Sequence, residues 1–268
     1  GCGIIITVGF LLASATIDGA KANPDVHFAS IDDSLDSDFD GVTDVENGKP
    51  ILFNTAEAAF LAGYAAAAYS KTGVVGTFGG LQINPVTIFI DGFVDGVAYY
   101  NEENGASVQA IGWDKEGQTG AFTGGFSAGV EAKTAAQGLL DQGADVILPV
   151  GGPIYQSAAE AIREKGGDIA LIGVDADVYE TDPNVKDLLL TSIMKGVDAG
   201  VYDVVVAAAG GNFDPAPYVG TLENGGVGIA PFHDFESKVP AGLGDKLEEL
   251  KAAILSGEIT VTSPATPK

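Results

Sequence analysis

The feature that most constrains this chain is a short apolar run that recurs along its length, each time ending in Gly, Asp or another polar residue before a helical stretch. The runs are "GIIITVG" (3–9), "VHFASID" (26–32), "PILFN" (50–54), "GVVGTFGG" (73–80), "SVQAIGW" (107–113), "DVILPVGG" (145–152), "IALIGVD" (169–175) and "DLLLTSIM" (187–194). Uninterrupted Val, Ile and Leu alternating with helices predict parallel strands covered on both faces, an α/β fold. Two helices read clearly. "TAEAAFLAGYAAAAYS" is predicted to begin with Thr55 as N-cap and to carry Ala59, Phe60, Gly63, Tyr64 and Ala67 on one face. "SAGVEAKTAAQGLLDQG" is predicted to begin with Ser127 as its cap and to stop at Gly143.

A chain of 268 residues can form one large α/β unit or two smaller lobes. The segment "SKTGVVG" (70–76) joins an Ala-rich helix to a new βα series with its own Gly-rich loop, which predicts a lobe boundary there. The first lobe is then 1–72, rejoined by about 194–215, and the second is 73–193, rejoined by about 216–268. Thirty-seven acids against thirteen Lys plus Arg give a net charge of -24, which repels nucleic acid and anionic membrane surfaces. The single cysteine, Cys2, leaves no internal disulfide and no multi-cysteine metal site. No window approaches the roughly 18 uninterrupted apolar residues of a membrane-spanning helix. "GCGIIITVGFLL" opens directly on a strand signal, so an earlier segment of the natural protein is expected before it.

Open α/β sheets bind ligands beyond the carboxyl ends of their strands. Those positions hold Gly9 and Phe10, Asp32 and Asp33, Gly79 and Gly80, Trp113 and Asp114, Gly151 and Gly152, Asp175, and Ser192 through Lys195. Flexible backbone, aromatic faces and a few charged hydrogen-bonding groups suit an uncharged, polyhydroxylated or heteroaromatic ligand. Phe126 follows Gly124 and Gly125 just before a helix. Its ring either stacks on a flat ligand, a contact worth about 1–3 kcal/mol, or staples the helix to the core. Asp175 can accept hydrogen bonds from vicinal hydroxyls while Lys195 donates to the same sugar; the alternative is a structural salt bridge.

Other patterns are weighed against plainer readings. "DSDFDGVTD" (36–44) matches the start of a calcium loop through Asp36, Asp38, Asp40, Gly41 and Asp44. The twelfth position is Asn47 instead of a bidentate Glu, and no helix pair flanks the loop, so an EF-hand is excluded. A looser calcium site or a solvated acidic insertion remains. "GFSAG" (125–129) fits the nucleophile elbow G-x-S-x-G with Ser127 as nucleophile and His233 later in the chain. The elbow needs an apolar strand before it, and "EGQTGAFTGGF" is not one. His27 reads as a packing residue, and the two histidines have no zinc spacing. The glycine pairs look like phosphate cradles, yet no G-x-x-x-x-G-K-[ST] follows.

The stretches "ITVGFLLASATIDGAKANPDVHFASIDD", "FNTAEAAFLAGYAAAAYSKTGVVGTFGG", "IFIDGFVDGV", "GADVILPVGG", "IGVDAD", "LLTSIMKGVD" and "ILSGEITV" together resemble the basic membrane protein family, in order and over essentially the whole chain. Its members are lipid-anchored substrate-binding proteins of ABC importers, best known as purine-nucleoside receptors. The resemblance implies a type I periplasmic-binding-protein fold, two α/β lobes with parallel sheets that close on ligand about a hinge. It implies no catalysis, no cofactor, an extracytoplasmic location, and permease and ATPase subunits as partners. Membrane attachment would come only through a lipid anchor upstream; Cys2 lacks a lipobox and abuts a strand, so it is not assigned that role.

Carried over by position, Asp32 resembles the acid that contacts the base and Phe126 the base-stacking ring. Gly152, with Gly151 beside it, resembles the close backbone approach. Asp175 and Lys195 resemble the ribose-holding pair, and Phe10 a residue at the cleft edge. The family normally begins with a further β-α-β-α portion carrying a second aromatic and an Asn or Asp for the purine. That portion has no counterpart here, so the first lobe is expected to lack its N-terminal part. Alternatives are a receptor of the same fold for a sugar or autoinducer, and a serine hydrolase built on Ser127.

Overall fold

The computed structural model describes residues 2–38 and 40–267. Its strands are β1 (Ile4–Val8), β2 (His27–Ile31), β3 (Gly48–Phe53), β4 (Val74–Gly79), β5 (Gln109–Ile111), β6 (Trp113–Asp114), β7 (Thr119–Gly120), β8 (Val146–Val150), β9 (Ala170–Asp175), β10 (Leu189–Lys195), β11 (Tyr218–Gly220) and β12 (Val227–Ile229). Its helices are α1 (Ala13–Ala22), α2 (Thr55–Tyr69), α3 (Asn84–Asn104), α4 (Val130–Asp141), α5 (Ile154–Lys165), α6 (Val178–Thr181), α7 (Val197–Ala209) and α8 (Leu243–Ser256). The chain divides into two compact units. One comprises Gly1–Asn54, Lys195–Gly226 and Pro267–Lys268, and the other Thr55–Met194 and Val227–Thr266.

The first unit is a parallel sheet in the order β1-β2-β3-β11. Its two faces follow from the register. Thr7 pairs with Ser30, and its hydroxyl meets both Ser30 and Thr16 of α1, so α1 covers that face. Ile31, Ile51 and Tyr218 form the opposite row, and Gly200 of α7 lies so near Ile51 and Tyr218 that a Cβ there would fall 3.0–3.1 Å from their side chains. At the β1 edge apolar groups remain open on both faces: Ile5, Val8, Leu11 and Leu12, together with Tyr202, Val205 and Val206 of α7. The acidic insertion is anchored at either end by buried Leu35 and Val45, which pack with Ile17, Ala20 and Phe28.

The second unit carries a six-stranded sheet in the order β12-β10-β9-β8-β4-β5. The contacts of β4 with β5 and β8, of β8 with β9 and of β9 with β10 are parallel. After β4 the chain builds outward to β5 and then returns to β8 on the other side, so its winding reverses at β4. The strand cores are almost fully buried, as their unbroken apolar runs require: all five residues of β8 and the first five of β9 are inaccessible. This is the parallel-dominated α/β architecture the apolar runs predict.

The division between units falls after Asn54, whereas the sequence places it at 72/73. The difference lies in α2. The expected single apolar face is instead burial on nearly all sides, with thirteen residues inaccessible. Helix α2 lies backbone to backbone on α3, because Gly63, Gly92 and Gly96 remove the side chains between them. A Cβ would fall 2.1 Å from the Phe93 carbonyl oxygen at Gly63, 2.2 Å from that of Ala56 at Gly92, and 2.0 Å from that of Phe60 at Gly96. The "SKTG" link is a stitched turn inside this unit. Buried Asp145, just before β8, accepts hydrogen bonds from Ser70 Oγ (2.6 Å), Lys71 N (2.7 Å) and Thr72 N (2.9 Å). Thr55 is the first helical residue, and its buried Oγ1 has no hydrogen-bond partner, so it is not the N-cap the sequence suggests.

Two Gly→Ala substitutions should therefore move stability in opposite directions. Gly96→Ala has to push a pair of helix backbones apart and is expected to cost about 1–3 kcal/mol or more. Gly138, an exposed position inside α4 with open space where a Cβ would stand, should gain about 0.4–1 kcal/mol as Ala. Urea denaturation of the two variants beside the parent chain measures both.

Candidate functional site

In the second unit the reversal of winding leaves the carboxyl ends of β4 and β8 side by side, the place where open sheets accept ligands. Both strands end in glycine pairs, Gly79-Gly80 and Gly151-Gly152. Gly80 N donates to Val150 O at 2.9 Å and holds the two ends together. The ring of Phe126 rests on this bed: a Cβ on Gly80 would meet it at 2.5 Å, and one on Gly151 at 2.8 Å. Gly151 and Gly152 have φ of 145° and 53°, so the chain leaves β8 through a conformation that side chains resist. Phe126 is half-buried, in a bend that hydrogen bonds from Thr123 N to Gly79 O and Gly124 N to Gly80 O tie to the β4 end. The predicted Phe126, Gly151 and Gly152 are thus brought together, and Gly80 joins them.

One strand further along the same edge, Asp175 closes β9 with φ of 71°. A non-glycine residue enters this left-handed region at a cost, and Asp is among the side chains that bear it best. The amide of Ala176 turns back to Val174 O at 2.9 Å, and Val178 N donates to Ser192 Oγ at 3.1 Å.

In the first unit Asp32 follows β2 and repeats this feature with φ of 63°. Its carboxylate accepts a hydrogen bond from Lys195 Nζ at 2.8 Å. The lysine side chain is only 4% exposed, and its ammonium lies 5.8 Å from the centre of the Phe53 ring, a cation–π contact. Asp32 and Lys195 therefore form a joined pair. Phe10 stands at the same sheet edge, half-buried in a short 3-10 turn, where Gly9 N donates to Ile31 O at 2.9 Å.

Several sequence candidates take other roles. Ser127 is exposed in a bend, and α4 starts only at Val130 with Gly129 at the N-cap, its amide donating to Ser157 Oγ at 2.9 Å. Ser127 is therefore neither the helix cap nor set on a strand-to-helix elbow. The His233 ring is engaged by Asp177 at 2.8 Å. Trp113, counted at a strand end in the sequence, is buried and donates its indole N–H to Asp91 at 2.8 Å; Gln118 and Ser263 complete that carboxylate's shell at 3.0 and 2.6 Å. This network went unseen in the sequence, though a buried indole always needs an acceptor.

In the acidic insertion Asp36, Asp38 and Asp40 bring carboxylate oxygens within 4.8 Å of one another. Asp36 also accepts from Asp40 N and Gly41 N, which shapes the turn. Asp44 stays with Ser37, whose hydroxyl holds its carboxyl below the usual range. Asn47 spends its amide on the carbonyls of Ala20, Asn23 and Val26 and so fastens the end of α1.

A family model described as "ABC transporter substrate-binding protein PnrA-like" matches residues 1–263. The ABC transporter nucleoside-binding protein BmpA of Lactococcus lactis subsp. cremoris is 28% identical over 98% of this chain and 72% of its own length. Basic membrane protein D of Borreliella burgdorferi is 30% identical over 75% of this chain and 53% of its own. The crystal structure of a solute-binding protein of an ABC transporter system from Aeropyrum pernix K1 superposes with a TM-score of 0.81 at 26% identity, covering 98% of this chain and 77% of that one. The fold is of the type I periplasmic-binding-protein kind.

The Asp32–Lys195 pair generates a prediction of its own. Asp32→Asn and Lys195→Met should each destabilise the protein, and the double variant should cost less than their sum by about 1–3 kcal/mol. A double-mutant cycle in urea reads that coupling; strict additivity would show the contact to be energetically idle.

Proposed function

Because this chain belongs to the PnrA-like family of ABC transporter substrate-binding proteins, we propose that the molecule it binds is a nucleoside, with purines accepted, and that it delivers this ligand to a membrane permease driven by an ATPase. The observation that carries the reading is the half-buried Phe126 ring seated on Gly80 and Gly151 at the switch point of the second unit's sheet. A ring so held is pre-positioned to stack on a flat base, a contact that tolerates any purine. The name of the Lactococcus lactis relative, a nucleoside-binding protein, supports the same choice.

In this reading Phe126 stacks on the base, and Gly151 and Gly152 allow the ligand close to the backbone. Asp175 accepts hydrogen bonds from ribose hydroxyls. Asp32 contacts the base edge, Lys195 donates to the sugar while it orders Asp32, and Phe10 borders the site. Recognition is binding without bond making, so the polar groups need only be fixed, not poised to move protons. Among the described residues no helix is long and apolar enough to cross a membrane. We place the protein outside the cytoplasm, anchored by a lipid on an upstream segment.

Thermal unfolding with added ligand tests the proposal. A nucleoside at a hundredfold excess over its Kd should stabilise the protein by about 2.7 kcal/mol. Phe126→Ala should weaken nucleoside binding by about 1–3 kcal/mol. A pentose, hexose or autoinducer that stabilises the protein where nucleosides do not, with Phe126→Ala indifferent, would replace the nucleoside by another ligand of the same fold.

A further inference from the structure

The segment that follows Asp175 is gripped from a distant stretch of the chain. His233 Nε2–H donates to Asp177 Oδ2 at 2.8 Å, while Asp177 Oδ1 accepts from Tyr179 N at 3.1 Å and caps α6. The imidazole lies flat on the Tyr179 ring, centroids 4.0 Å apart and 8° between planes, and Lys186 Nζ covers that ring 4.3 Å from its centre. Tyr179 returns the contact by donating its hydroxyl to Asp234 Oδ1 at 3.1 Å. The Asp234 carboxylate beside it raises the phenol above its usual range, so the donor keeps its proton. His233 itself has φ of 46°, a strained conformation for a ring-bearing residue. Two segments thus meet through two hydrogen bonds and a ring stack, with backbone strain on each side.

The grip bears on Asp175 because the intervening chain has almost no slack. Asp175 is strained, Ala176 is turned back on Val174, and Val178 N is fixed to Ser192. A strained non-glycine conformation persists only where its surroundings over-determine it. The strand constrains Asp175 from one side, and Asp177 adds a restraint from the other.

We propose that His233 is a positioning residue for the ligand site: by holding Asp177 and stacking on Tyr179, it fixes the turn that presents Asp175 and so sets the protein's preference for a nucleoside over its free base. The proposal rests on the nucleoside reading. His233 does not touch the ligand in this scheme. It restrains an acceptor whose hydrogen bonds to vicinal hydroxyls reward a fixed position, since a carboxylate that must be ordered on binding loses some of that contact.

The test compares a purine nucleoside with the matching free purine by calorimetry, alongside hydrogen exchange of the 176–181 amides. In His233→Ala, nucleoside affinity should fall about tenfold, the size of one charge-assisted hydrogen bond misplaced, while free-base affinity stays within about twofold. The 176–181 amides should exchange at least about tenfold faster. His233→Gln, which can still donate to Asp177, should recover some of the nucleoside affinity. Asp177→Ser, which keeps the helix cap but cannot reach His233, should repeat the Ala phenotype and serves if His233→Ala fails to fold.

A folded His233→Ala protein with an unchanged nucleoside-to-base ratio overturns the positioning role even if its amides open. Equal losses for nucleoside and base would reduce His233 to a general structural residue. A parent protein that binds neither ligand removes the nucleoside reading, and the assignment of His233 to ribose selection falls with it, whatever the exchange rates.

Discussion

A parallel sheet sends every strand to the same edge, and there the chain has to turn sharply with no partner strand to guide it. That constraint organises both units. Backbone of positive φ gathers at these ends: Gly9 and Asp32 in the first unit, and Gly151, Gly152 and Asp175 in the second. Glycine takes such a conformation freely, whereas a residue with a Cβ gives up roughly 1–2 kcal/mol. That two of the five are aspartates means the carboxylate is retained at positions where glycine would be more stable. Backbone cost and polar chemistry coincide there, and on the proposed reading these are the positions that meet the ligand.

The glycines serve differently from their appearance in the sequence. Pairs at strand ends suggest a cradle for phosphate, in which backbone amides converge on an anion. Here the amide of Gly80 is occupied by Val150 O, and the space a side chain would fill is taken by the ring of Phe126. A glycine bed of this kind converts a flexible loop residue into a fixed surface. The ring loses its rotational freedom on folding, so less is lost when a ligand arrives.

The strands were legible because unbroken apolar runs leave no other home than a sheet covered on both faces, and the strand ends followed from where the runs stop. Helix surroundings were not legible. In α2 the alternation of Ala with larger residues imitates an amphipathic face, and nothing local reveals that Gly63 faces Gly92 and Gly96 across a helix contact that buries the rest. Ser127 illustrates the reverse error: a good capping residue stands two positions before a glycine that caps the helix, while Ser157 from another helix satisfies the amide. At the candidate site the residue types were readable at strand ends, but the contacts of Lys195 with Asp32 and of His233 with Asp177 were not. Lys195 meets an acid 163 residues earlier and His233 one 56 residues earlier, separations at which sequence carries no pairing signal.

The pairing of charges also constrains the guest. Lys195 is nearly buried, and its ammonium is already matched by Asp32, within a chain whose net charge is -24. A phosphorylated ligand would have to draw that ammonium from its carboxylate against the field of the whole protein, leaving Asp32 poorly compensated. An uncharged sugar can instead add a hydroxyl to the pair, since an ammonium has three donors and a carboxylate several acceptor sites, and neither partner has to be given up. On the proposed reading the same ion pair therefore admits a nucleoside and disfavours the corresponding nucleotide, and selectivity arises from groups already paired.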